Sequence, residues 1–316
     1  MTDTSIRECY GFAVECVADA GVREVVGQFF GAPVEERPTA PVAAAPTVRL
    51  TIELTEDAPG PKKNPPHTVE LMADNPIEMD TGASRGTVDP NSWSIHTVLS
   101  TRDLDDPVLW GHWLLERAFL YLVCRSPRHY PLHAGAISVA GRNAVVSGPT
   151  GMGKSVFSYW AHRGGADLVS EDIMVRHLDD EPGRVWGYPH AVYLDSSVRD
   201  LCPELVEAAT VDYNAGARFR LGLAHLPQQR LRSAASMDAM VFLARGERAA
   251  VRELDVDDAV KRCWDDVSTA KKDIAVLDEV TEDLRRELTA VPIWELSVPP
   301  GIEAGYDLLC AELGAL

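Results

Sequence analysis

The chain has 316 residues, 46% of them hydrophobic and 25% charged, with a formal net charge of −18. That composition supports a substantial core in one or two domains, and the acidic balance argues against nucleic acid or an anionic membrane surface as the main partner, since both require a basic footprint. Six scattered cysteines (Cys9, Cys16, Cys124, Cys202, Cys263 and Cys310) form no C-x-x-C pair, which argues against a zinc site or a disulfide framework and for reduced thiols.

In chain order, Met1–Arg7 is charged and lacks the apolar centre of a signal peptide. No stretch approaches the roughly 18 uncharged apolar residues of a membrane span. A cytoplasmic protein is expected. Phe12–Val17 reads as a strand, followed by a proline-broken loop from Ala32 to Pro46. Residues 47–55 alternate apolar and polar side chains, the pattern of a strand with one wet face. A second breaker-rich loop, Ala58–Pro66, precedes strand-like segments near 68–72 and 94–99. Residues 1–105 are therefore expected to form a small β-rich domain. Trp110, Trp113, Leu114, Ala118, Phe119, Leu122 and Val123 recur at helical spacing and predict a buried helix over 107–124.

From Leu132 the pattern is mixed α/β. Leu132–Val139 and Asn143–Ser147 read as strands joined by a turn at Ala140-Gly141-Arg142. Ser155–His162 reads as a helix ended by Arg163-Gly164-Gly165, and Leu168–Ser170 as a strand that Ile173–His177 continues. Further segments follow: a strand over 238–244, helices over 256–267 and 275–288, a strand over 291–298 and a final helix over 301–313. Residues 106–316 are expected to form the second domain.

Between the strand Ala144–Ser147 and its following helix lies Gly148-Pro149-Thr150-Gly151-Met152-Gly153-Lys154-Ser155, a G-x-x-x-x-G-K-S sequence. Glycines let successive backbone N–H groups wrap phosphate oxygens, and the next helix adds its positive N-terminal end. In such a loop Lys154 reaches the β- and γ-phosphates and the Ser155 hydroxyl ligates Mg²⁺. The motif predicts a nucleotide-phosphate site, with ATP and Mg²⁺ as the expected cofactors. Glu171-Asp172, at the end of a short strand, are candidates for the acceptor base and a metal ligand; a solvated turn is the alternative.

Residues 132–172 resemble the C-terminal catalytic domain of HPr kinase/phosphorylase and the wider HPr-kinase-like group. The shared pieces are Leu132-His133-Ala134-Gly135, the loop 148–155, Arg163-Gly164 and Leu168-Val169-Ser170-Glu171-Asp172. The resemblance implies an α/β fold related to that of phosphoenolpyruvate carboxykinase, and an ATP-dependent kinase acting on a hydroxyl. It implies that Glu171 takes the acceptor proton, that Asp172 holds Mg²⁺ and that His133 lies close to the transferring phosphate. The family usually carries Asp where this chain has Glu171. An extra signature after the acidic pair that helps reverse the reaction is not found, and the N-terminal region differs from that of HPr kinases proper, so the chain reads as a divergent member. Within that group the expected acceptors are a peptide serine or a small natural-product hydroxyl such as a nucleoside or amino-alcohol, and a homo-oligomer is implied. Gly187-Tyr188-Pro189 through Leu194 and the basic turn 214–220, with Arg218 and Arg220, fall where relatives carry similar segments. A non-catalytic, ATP-gated binding protein is the competing reading. A carboxykinase is a third, disfavoured by the acidic region after the loop.

Overall fold

The computed structural model describes residues 2–30, 42, 45–56, 67–69, 76–195, 198, 205, 209–213, 216–222, 225–266 and 277–316. The loop expected over Ala32–Pro46 lies outside these residues except at Val42, Ala45 and Pro46, and Ala58–Pro66 lies wholly outside them. The fold is mixed α/β with several sheets, built as two compact units: residues 1–126 with 195–220, and residues 127–194 with 221–316.

In the first unit, β1 (Thr2–Cys9) and β2 (Phe12–Asp19) form a hairpin whose turn residues, Tyr10 and Gly11, both have positive φ (52° and 84°). β1 escapes a hydrophobicity reading because Thr-Asp-Thr-Ser-Ile-Arg-Glu-Cys carries few apolar side chains. α1 (Arg23–Phe30) follows. β3 (Val48–Thr55), β4 (His67–Val69), β5 (Ile77–Asp80), β6 (Arg85–Asp89) and β7 (Ser94–Ser100) complete a seven-stranded sheet among the described residues, in the order β1-β2-β3-β7-β6-β5-β4. The helix expected over 107–124 is a nine-residue π-helix, Val108–Glu116, running into α2 (Arg117–Arg125). Apolar spacing announces a helix but does not separate its π and α turns, and π segments are rare. The π turn carries a buried polar group: His112 Nδ1 lies 2.6 Å from Glu116 Oε2, and Tyr10 Oη donates to Glu116 Oε1 at 3.2 Å.

In the second unit the chain runs through β8 (His129–Leu132), β9 (Ala134–Val139), β10 (Arg142–Ser147), α3 (Lys154–Arg163), β11 (Asp167–Ser170), β12 (Met174–His177), β13 (Arg184–Gly187) and β14 (Ala191–Asp195). A hairpin, β15 (Ala209–Tyr213) with β16 (Gly216–Gly222), falls largely in the first unit. The second unit closes with β17 (Ala234–Ser236), β18 (Ala239–Arg245), β19 (Ala250–Glu253), α4 (Val256–Asp266), α5 (Leu277–Thr289), β20 (Ile293–Val298) and α6 (Glu303–Gly314). Among the described residues these strands form a six-stranded sheet, β11-β9-β10-β18-β20-β19, and a four-stranded sheet, β17-β13-β12-β8. β10, β18 and β20 are parallel, with long connections that leave the sheet and return to it between them. Val145, Met240 and Phe242 share an apolar core with Ala259, Val260 and Leu284 of α4 and α5.

Leu132–Val139 is not one strand, and Ile173–His177 does not continue Leu168–Ser170. β8 pairs with β12 in the four-stranded sheet, while β9 pairs with β11 in the six-stranded sheet. Two neighbouring strands thus turn together from one sheet into the other, and the turn falls at His133 on one strand and at Glu171-Asp172-Ile173 on the other. Ser170 sets the second corner: its Oγ donates to Ile173 O at 2.6 Å and accepts from Asp172 N–H at 3.4 Å. β13 passes so close that a Cβ on Gly187 would lie 2.1 Å from Val169 O, so only glycine fits there. Among the described residues no helix is long and apolar enough to cross a membrane, and the five described cysteines are free thiols.

Candidate active site

The Gly-rich loop leaves β10 at Gly148 and enters α3 at Lys154. Gly148, Gly151 and Gly153 have φ of 150°, 82° and 101°, values that favour glycine. Met152 N–H donates to Pro149 O at 3.0 Å, closing a tight turn inside the loop. That amide is engaged internally, so a phosphate cradle here draws on its neighbours. Lys154 is buried, and its Nζ donates to Gly148 O at 2.6 Å. α3 begins at an N-cap glycine with no side-chain cap and no acidic residue in its first turn. Its N-terminal amides and the helix dipole are therefore presented to an acceptor from outside the chain. Ser155, one residue into α3, is half-buried.

The sheet corner brings the other candidates to the same end of β9, β10 and β11. His133 directly precedes Ala134, which faces Ser147 across the β9–β10 ladder, and Ser147 Oγ donates to His133 O at 3.1 Å. His133 Nε2 lies 3.0 Å from Asp172 Oδ1. An ionised carboxylate only accepts, so Nε2 carries the proton of this bond. The pair is partly open to solvent, with side-chain exposures of 17% for His133 and 40% for Asp172. Glu171 is buried, and its Oε1 accepts from the Tyr193 N–H of β14 at 3.2 Å. The segment after Gly187 thus reaches the corner through a backbone amide. Gly135 lets the sheet close down: a Cβ there would lie 2.7 Å from Ser158 Oγ of α3 and 2.9 Å from Ser170 O.

The structure places His133, Lys154, Ser155, Glu171 and Asp172 in one unit around one end of one sheet. Arg218 and Arg220 lie on β16 in the first unit, and Asn214 and Ala215 of their turn lie outside the described residues. Among the described residues no group of three or more His, Cys, Asp or Glu side chains is arranged to hold a metal by itself. A hard cation here would rest on Ser155, Asp172 and the oxygens of a nucleotide, the pattern Mg²⁺ commonly adopts. One contact at the loop has no sequence signal: Arg245, at the end of β18, donates from Nη2 to Gly151 O at 3.1 Å.

No family model matches the chain, and no curated protein matches it. Among solved structures, the HPr(Ser) kinase/phosphatase from Coxiella burnetii is similar to it with a TM-score of 0.29 and 12% identity, over 59% of this chain and 88% of that one.

Proposed function

We propose that this protein is an ATP-dependent phosphotransferase that moves a γ-phosphoryl group to an alcohol hydroxyl. In this reading the second unit is the HPr-kinase/carboxykinase-like catalytic body and the β-rich first unit holds the acceptor. The observation that carries it is the convergence of an uncapped helix start, a left-handed glycine loop and a buried lysine with a carboxylate–histidine corner, all at one sheet end.

Loop amides and the α3 N-terminus bind the phosphates, and Lys154 turns its ammonium from Gly148 O toward them. Ser155 and Asp172 hold Mg²⁺, which supplies charge neutralisation on the phosphate oxygens. Asp172 can keep His133 and still serve, because a carboxylate offers about four lone-pair directions. Glu171, steadied by Tyr193 N–H, accepts the hydroxyl proton of the acceptor. The longer side chain of glutamate suits a carboxylate that reaches back from the corner to β14. His133 donates to Asp172 and so fixes that carboxylate beside the transferred group. The phosphoryl transition state is loose, so positioning and charge account for most of the rate gain. The acceptor is a peptide serine or a small natural-product hydroxyl such as a nucleoside or amino-alcohol.

The test is γ-phosphate transfer from labelled Mg-ATP to peptide and small-molecule fractions of a cell extract, with Glu171→Gln and Lys154→Ala alongside. Label entering one fraction with the unaltered protein and lost in both variants supports the kinase and identifies its acceptor class. ATP binding with no transfer to either fraction replaces it with the ATP-gated binding protein.

A further inference from the structure

We infer that Arg245 is a positioning residue of the phosphate loop, setting the orientation of the Gly151–Met152 peptide and thereby nucleotide affinity; this rests on the phosphate-site reading above. β10 and β18 run parallel with Ser147 opposite Phe242, so Arg245 extends β18 three residues beyond that pair, alongside the loop. The strands are close enough that a Cβ on Gly148 would sit 3.2 Å from Leu243 O. From that position the Arg245 guanidinium donates to Gly151 O at 3.1 Å, across 94 residues of sequence.

The peptide it holds is a particular one. In a trans peptide the C=O and the following N–H point in opposite directions. Gly151 O is held by Arg245, and Met152 N–H, at the opposite edge of the same plane, is held by Pro149 O. The plane is thus held at both edges beside a glycine, φ 82°, whose missing Cβ leaves its backbone permissive. Lys154 Nζ takes Gly148 O in the same way. Of the loop's carbonyls, Gly148 O and Gly151 O are thus bound by cations and Pro149 O by Met152 N–H, which leaves the other loop amides to face an anion. Arg245 stands apart from most arginines of this unit. Arg128, Arg176, Arg232, Arg252 and Arg285 each meet a carboxylate, while among the described residues Arg245 forms no ion pair. Its charge is spent neither on the core nor on a surface pair, and it sits at the loop rim of an acidic chain.

Two measurements on the full chain test this. Amide hydrogen exchange without nucleotide reads the loop directly: Arg245→Ala should speed exchange at Met152 about tenfold, the equivalent of losing one charge-assisted hydrogen bond. Calorimetry and kinetics with Mg-ATP should show Kd and KM raised about tenfold with kcat nearly unchanged, and Arg245→Lys should recover part of both effects. A merely structural role would lower Tm without this KM-against-kcat split. Lys154→Ala separates the two readings. If it binds ATP as the unaltered protein does, the phosphate site itself is lost. If it loses ATP while Arg245→Ala matches the unaltered protein in exchange and affinity, the role of Arg245 is overturned.

Discussion

β8 and β12 carry two polar clusters only a few residues apart, and the clusters have opposite characters. Where the strands pair, Tyr130 faces Arg176 across the ladder. Arg176 lies 3.1 Å from Glu287 and 3.5 Å from Asp283, and Tyr130 Oη donates to Asp283 at 3.0 Å. Arg176 also donates to His177 O, Gly183 N–H to Glu287, and Arg286 pairs with Asp283. The side chains of Arg176, Asp283 and Glu287 are 2–5% exposed. Burial and the Asp283 charge push the Tyr130 hydroxyl well above its ordinary range, so it remains a donor. A few residues further, at the corner, His133 and Asp172 make a side-chain contact at 17% and 40% exposure. The first cluster balances its charges internally and is buried, and its Arg176 and Glu287 line one cavity with Leu284, Leu288 and Met240. The second stays open where the sheets part. Similar residue types are thus buried in one place and partly open to solvent in the other.

The largest effects should fall on the loop and the corner and appear in activity. Lys154→Ala should lower phosphoryl transfer by at least about 10²-fold, and Glu171→Gln by about 10² to 10⁴-fold, each measured as kcat/KM with Mg-ATP. Global stability should hardly change for Glu171→Gln. The sealed cluster predicts the reverse. Arg176→Met leaves two buried carboxylates without their central cation, which costs about 3–5 kcal/mol of stability. Denaturant unfolding measures it. A near-neutral Arg176→Met would mean the two clusters are not different in kind.

Much of the local structure around the candidate site was legible because its signals are local. The loop 148–155 lies within one strand–loop–helix unit, and Gly164-Gly165 end α3 as read, with Gly165 at φ 112°. The corner was not legible. His133 and the polar run Ser170-Glu171-Asp172 do interrupt the apolar residues on either side, but nothing in that pattern says that the two halves of each strand pair in different sheets. The break is a non-local event, set by which strands each half pairs with. Its one faint trace is glycine: Gly135 and Gly187 occupy points where backbones or side chains come within 3 Å of a missing Cβ. The sealed cluster joins Tyr130 and Arg176 to residues more than a hundred positions away, and Arg245 meets the loop across 94. The first unit hid β1 behind a polar sequence, and its π turn behind ordinary helical spacing.

A pH experiment sharpens the contrast at the far end of β8 and β12. His129 and His177 pack edge to face with ring centroids 4.5 Å apart. Burial above all, then the neighbouring His177 and Arg128, lowers His129 to about 3, with Asp179 opposing. A free histidine titrates near 6.5, so between those values the unfolded chain binds the extra proton and the fold does not. Stability from this residue is therefore complete above pH 6.5 and is lost as pH falls toward 3. His129→Gln, which cannot take the proton, should flatten the stability–pH slope in that window by up to about 1.4 kcal/mol per pH unit. An unchanged slope would place the acid sensitivity elsewhere in the cluster.

The smallest effect asks whether the corner sets its own geometry or inherits it from the opposite end of β9 and β10. That end is a two-residue turn in which Val139 pairs with Arg142, with Ala140 at φ 51° and Gly141 at 84°. Ala140 already shows that this turn accommodates an alanine in the left-handed region, and a Cβ on Gly141 meets no atom within 4 Å. Gly141→Ala should therefore cost only the backbone penalty, about 1 kcal/mol, seen as a small shift in the unfolding midpoint. Phosphoryl transfer should stay within about twofold of the unaltered protein, since the penalty falls on folding and not on the transition state. The alternative result, a drop in kcat out of proportion to the stability loss, would mean that strain at the hairpin travels along β9 to His133. The open cluster would then depend on distant packing as much as the sealed one does.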